Sequence, residues 1–98
     1  MPQYIQVVEY QTSDIDAVRR IASERSYDEG TPKPLSVTVV ADRDRPGTFA
    51  SILRFSSYAD AMKHSEAEST HALVEKMAPL MTGERRFYNL DVIEDTQP

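Results

Sequence analysis

Two histidines, His64 and His71, carry the side chain best suited to moving a proton near neutral pH, since free imidazole titrates close to 6.5. Their spacing of seven would align them on one face of an unbroken helix. Glu68 and His71 add an E-x-x-H at helical spacing, as in metal-binding bundles, but no further ligands accompany it and no metal is expected. His71 is read as a surface or packing residue, and His64 as the histidine that could line a pocket. Tyr58 stands near Arg54 and Phe55, a set that could orient a polar aromatic ligand by stacking and one charged hydrogen bond. The competing reading packs Tyr58 in the core with its hydroxyl wet and sends Arg54 to a carboxylate. Met62, Met77 and Met81 supply either an adaptable pocket lining or core filler. Tyr4, Tyr10 and Tyr88 stand between site, packing and dimer roles. The candidate ligand-binding set is therefore Arg54, Phe55, Tyr58, Met62 and His64, with His64 and Tyr58 as the catalytic candidates.

Other chemistries are poorly provided for. The chain has no cysteine, which removes thiolate catalysis, disulfides and iron–sulfur ligation together. Three glycines form no phosphate-cradling loop or dinucleotide fingerprint, no Ser-His-Asp set is suggested by spacing, and no cofactor is expected. Eleven Lys and Arg against sixteen Asp and Glu give a net charge of −5, a field that opposes nucleic acid. No apolar stretch approaches the ~18 residues of a membrane span and no leader pattern opens the chain, so a cytoplasmic location is expected.

The elements that must position these residues follow from pattern. The stretch from Asp42 to Met62 organises the rest. Pro46-Gly47 punctuates a turn, Thr48 to Phe55 reads as a strand, and Ser57 with Asp60 forms a capping box that starts a helix. Before it, YIQVVEY from Tyr4 to Tyr10 reads as a strand. A helix capped by Thr12 or Ser13 then runs to about Tyr27, with Arg19, Arg20, Glu24 and Arg25 outward. Gly30, Pro32 and Pro34 make a connector, and Leu35 to Ala41 is the next strand, paired with Thr48 to Phe55 as a hairpin. The DRDR run from Asp42 to Arg45 is read as a solvated turn. A second capping box, Ser65 with Glu68, predicts a break. One short helix should run from about Tyr58 to His64, a kink over Ser65 to Ala67, and another helix from Glu68 to Met77. Pro79 and Gly83 close that region, Arg86 to Ile93 is the fourth strand, and the tail from Glu94 is polar.

The order β-α-β-β-α-β predicts one ferredoxin-like α+β domain over residues 1–98, a four-stranded antiparallel sheet with helices on one face. Apolar residues lie on both faces of its strands: Ala50 and Ile52 oppose Phe49, Leu53 and Phe55, and Ile5 and Val7 oppose Val8 and the tyrosines. One copy covers a single face, so a homodimer with sheets packed together is expected.

The ADRDRPGTFASILRF hairpin, the SSYADAM helix start and the closing RFYNLDVI strand, in this order of elements, resemble the dimeric α+β barrel superfamily. Within it they look most like small actinobacterial proteins related to the antibiotic biosynthesis monooxygenases. The resemblance implies a homodimer with a ligand pocket between sheet and helices in each subunit. The activities it implies range from cofactor-independent oxygenation of aromatic polyketides to haem degradation, polyketide cyclisation and dye-decolourising peroxidation. The Asn and Trp used by oxygenating relatives have no match here, and Trp is absent altogether. Three readings stand: a binder of a small apolar or aromatic molecule, a cofactor-independent monooxygenase or cyclase-like enzyme, and a structural or interaction domain without a ligand.

Overall fold

The computed structural model describes residues 2–98. Its elements are β1 (Tyr4–Gln11), α1 (Ile15–Ser23), β2 (Ser36–Ala41), β3 (Thr48–Phe55), α2 (Tyr58–Glu66), α3 (Glu68–Met77) and β4 (Arg86–Asp91), with a 3-10 turn over Ala78–Leu80. The sheet order is β2-β3-β1-β4, and every pairing is antiparallel. This is the ferredoxin-like α+β arrangement read from the sequence, with the second helical region divided in two.

Register decides which residues share a face. Tyr4 lies opposite Phe55 on β3 and Asp91 on β4, while Val7 lies opposite Ile52 and Tyr88. One face therefore holds Tyr4, Gln6, Val8 and Tyr10 with Phe49, Ser51, Leu53 and Phe55, and the helices pack on it. The other holds Ile5, Val7, Ala50, Ile52, Val40, Tyr88 and Leu90. Among the described residues, no helix or strand covers that second face.

Several local expectations are corrected. Helix α1 is capped by Asp14, whose Oδ1 accepts from the Ala17 N–H at 3.0 Å, rather than by Thr12 or Ser13. Thr12 is drawn elsewhere: its hydroxyl donates to the Leu80 carbonyl at 2.7 Å and accepts from the Asp14 N–H at 3.1 Å. The helix ends at Ser23, four residues before Tyr27, because Arg25 and Tyr27 turn inward against each other and toward the later helices. The break between α2 and α3 falls at Ala67, in extended conformation, inside the predicted kink. Ser65 does not cap α3, since its hydroxyl donates back to the Ala61 carbonyl at 2.9 Å. The Ser69 N–H is instead taken by the Asp28 carboxylate at 2.9 Å, from 41 residues earlier in the chain. The DRDR turn is pinned rather than merely solvated: Arg45 reaches Asp42 at 2.8 Å and Glu9 on β1 at 3.2 Å. Gly47 there adopts φ +84°, which a side chain would resist. Strands β2 and β4 are one and two residues shorter than expected, leaving Leu35 and Ile93 exposed.

The core is small. Tyr4, Phe55 and Ala61 form its buried centre with Leu53 and Met62 packed against them. The molecule measures 38 × 37 × 20 Å, one sheet thick and one helical layer thick. Its accessible surface is 6956 Å², against roughly 5,650 Å² expected for a folded monomer of its mass. Part of the excess is the extended tail, and part is the bare sheet face.

Candidate functional site

Helix α2 brings the site together. Its first turn is held by Ser57, whose Oγ accepts from the Asp60 N–H at 3.1 Å. Asp60 does not close the reciprocal half of the box, because its carboxylate accepts from the Ser56 hydroxyl at 2.5 Å. From that start Ala61 and His64 fall three residues apart on the face that meets the sheet. His64 is 3% exposed, with its ring 5.0 Å from Phe55 and 5.9 Å from Tyr27. Nδ1 lies 3.2 Å from the Pro32 carbonyl, which can only accept, so Nδ1 carries the hydrogen of the neutral ring. Nε2 then presents its lone pair to Arg25 Nη1 at 3.5 Å. Burial lowers the His64 pKa below its ordinary 6.5, and the Arg25 cation pushes the same way against the opposing pull of the Pro32 hydrogen bond. The imidazole is accordingly neutral at pH 7, with an acceptor nitrogen in a desolvated place.

Two buried polar atoms have no partner among the described residues: Arg25 Nε, on the guanidinium that meets His64, and the Tyr4 hydroxyl. The Tyr4 ring meets Tyr58 edge-on at 5.3 Å, and burial, then Tyr58 and Asp91, raise its pKa. Arg25 Cζ lies over the Tyr27 ring, 4.2 Å from its centre, and the guanidinium donates to Thr70 Oγ1 at 2.9 Å and Ser69 Oγ at 3.4 Å. Thr70 Oγ1 in turn donates to the His64 carbonyl at 2.6 Å, tying the two histidine-side helices together.

Of the five expected ligand-binding residues, Phe55, Met62 and His64 converge, and Tyr58 joins them through Tyr4 although it is 58% exposed. Arg54 is the correction. It shares β3 with Phe55 but points to the opposite face, where it bonds the Gln3 side chain and lies 3.4 Å from Asp95. Strand alternation separates neighbours in sequence by the thickness of the sheet. His71 is exposed on α3, and the break at Ala67 removes the alignment with His64. Arg25 and Tyr27 went unread because Arg25 was assigned to an outward helix face, and its partners stand 39 to 45 residues away. No spacing signal reaches that far.

Two open concavities lie elsewhere. One of about 450 Å³ is lined by Met81, Gly83, Arg85 and Phe87, and one of about 260 Å³ by Glu9, Val40, Arg45 and Ala50. Neither touches His64 or Tyr58. Among the described residues, no group of three or more acidic or histidine side chains could hold a metal ion, and no helix is long and apolar enough to cross a membrane.

No protein-family profile matches the chain, and no curated protein matches it in sequence. Solved structures do match in shape. A candidate antibiotic biosynthesis monooxygenase from Nitrosomonas europaea superposes with a TM-score of 0.76 at 15% identity, covering 97% of this chain and 94% of the other. Another described in the same words, from Caulobacter crescentus, gives 0.77 at 15% identity over 95% and 92%. A conserved protein from Methanosarcina mazei gives 0.72 at 9% identity over 92% of each chain. At such identities the likeness establishes the fold.

Proposed function

We propose that this chain, which has the fold of the antibiotic biosynthesis monooxygenase-like α+β proteins, works as a homodimer that binds a small aromatic molecule between sheet and helices. The binding wall is Tyr4, Phe55, Tyr58, Met62 and His64. The observation that carries the reading is the buried Tyr4 hydroxyl, without a partner among the described residues, in a wall it shares with Tyr58 and with Phe55, whose ring meets the neutral His64. Leaving such a hydroxyl unsatisfied costs about 1–3 kcal/mol, which a ligand oxygen or nitrogen would recover. The homodimer is supported by the uncovered face of Ile5, Val7, Ile52, Tyr88 and Leu90.

A catalytic reading is favoured by one feature, the neutral His64 whose Nε2 can accept a proton from a bound phenol, and by the names of the structural neighbours. Oxygenation or cyclisation of such a phenol would start from that proton transfer. Two measurements test these readings. Titration with 2-naphthol, followed by fluorescence, should show one site per subunit of a dimer, weakened by Tyr4→Phe; no binding at millimolar concentration points to a structural domain. Oxygen uptake with a dihydroxynaphthalene should be lost in His64→Gln if the site is catalytic, and absent from the wild type if it is only a binder.

A further inference from the structure

Arg25 is the one arginine of the site, and its surroundings are unusual for a chain with sixteen carboxylates and a net charge of −5. Arg19, Arg45 and Arg54 each reach an aspartate or glutamate, and Arg20, Arg43, Arg85 and Arg86, which have no ion pair among the described residues, are exposed to water. Arg25, half-buried, has no carboxylate within ion-pair distance among the described residues. Its partners are all neutral: His64 Nε2, Ser69 Oγ, Thr70 Oγ1 and the Tyr27 ring. Lys33 sits over the same ring at 5.4 Å, so two cations lie against one aromatic side chain. Asp28, the nearby acid, bonds the Ser69 N–H through Oδ2 and makes no ion pair with Arg25. Arg25 Nε remains buried with nothing to donate to. A guanidinium desolvated to this degree is ordinarily paired.

We infer that Arg25 is an anchor for the carboxylate of the bound molecule, so that the ligand of this site is an aromatic acid. The inference rests on the binding reading above and adds the class of ligand. The Tyr27 ring and the bonds from Nη1 and Nη2 hold the guanidinium in place, and Nε is the donor left over, able to give a charge-assisted hydrogen bond to a carboxylate oxygen. The Ser69 hydroxyl, which accepts from Arg25, keeps its own hydrogen to give to the same anion. A second copy does not supply the missing charge, because the face expected to meet it lies on the opposite side of the sheet from α2 and α3. The connector from Glu24 to Pro34 carries Arg25 and Tyr27 and contributes the Pro32 carbonyl to His64, so acid and ring would be held by one segment.

The test compares 2-naphthoate with 2-naphthamide, which share ring and shape and differ in charge, by calorimetric titration at pH 7.5. The wild type should bind the acid about tenfold more tightly, one charge-assisted bond in place of a neutral one. In Arg25→Gln the ratio of acid to amide affinity should fall to near unity, whatever the absolute affinity of either. Equal affinity of acid and amide for the wild type overturns the carboxylate anchor and leaves the aromatic site standing. Binding of neither overturns both. Should Arg25→Gln fail to fold, the wild-type ratio still decides, and Arg25→Lys should keep part of the acid preference.

Discussion

The two faces of the sheet are incomplete in opposite ways. The outer face has apolar side chains without an apolar cover: Ile5, Val7 and Ile52 are half-buried, and Val40, Tyr88 and Leu90 are 39 to 45% exposed. The helix-covered face has a buried centre, with Phe55 fully enclosed, but polar atoms at Tyr4 and Arg25 that lack partners among the described residues. The difference matters because hydrophobic burial is non-directional and proportional to area, whereas a hydrogen bond needs one atom at one place. A broad apolar deficit calls for another surface, which is the ground for the proposed dimer, and an orphaned polar atom calls for one matching group, which is the ground for the proposed ligand.

The largest test of this contrast is Phe55→Ala. The ring is fully enclosed and meets Tyr4, Ala61 and His64, so its removal should cost about 3–5 kcal/mol in urea unfolding. A loss below about 1 kcal/mol would mean the covered face is not the core. Next comes Ile52→Glu on the other face, opposite Val7. Placing a carboxylate in a sheet-on-sheet contact should weaken dimerisation on the order of 100-fold while leaving the single subunit folded. Sedimentation should then show one subunit at micromolar concentration. If Ile52→Glu remains as dimeric as the wild type, the outer face is not the interface.

How far these faces were legible differs between fold and site. The Thr48–Phe55 strand, the helix start at Ser57 and the break near Ala67 were readable because each is signalled within a few residues by alternation, a cap or an interrupted pattern. The site was readable only in part. Phe55, Met62 and His64 belong to the same continuous stretch and were found together. Arg54 was included on sequence nearness alone, although strand alternation already assigns it to the face away from Phe55. Arg25 and Asp28 were missed because their roles depend on where a connector without periodicity folds back onto α3, and local pattern carries no information about that return.

A smaller effect separates the faces by pH. The His64 pKa is lowered in the folded protein, so between its folded value and 6.5 the unfolded chain binds the proton more readily. Stability from this group is therefore complete above about pH 6.5 and declines as pH falls through the folded value. Asp42 is also lowered, by the Asp44 N–H first and then Arg45, but from 3.8, so it acts in a more acidic window. Urea midpoints should accordingly drop between pH 7.5 and 5.5, and His64→Gln should remove that slope. An unchanged slope in the variant would assign it to a group outside the covered face.

The smallest effect concerns what lays α2 on the sheet at all. Two serines stand eight residues apart in similar sequence contexts, and only one acts as a cap. Ser57 accepts from the Asp60 N–H at 3.1 Å, whereas Ser65 donates to the Ala61 carbonyl at 2.9 Å inside its own helix. Ser57→Ala should therefore cost about 1 kcal/mol, and Ser65→Ala close to nothing, since a hydroxyl bonded back within a helix gives little net stability. Because the start at Ser57 sets the rotation that turns Ala61 and His64 toward Phe55, Ser57→Ala should also loosen exchange of the α2 amides without altering the dimer. Equal losses in the two variants would mean that α2 is held by its packing on Tyr4 and Phe55 rather than oriented by its first turn, and the covered face would then owe its register to the core alone.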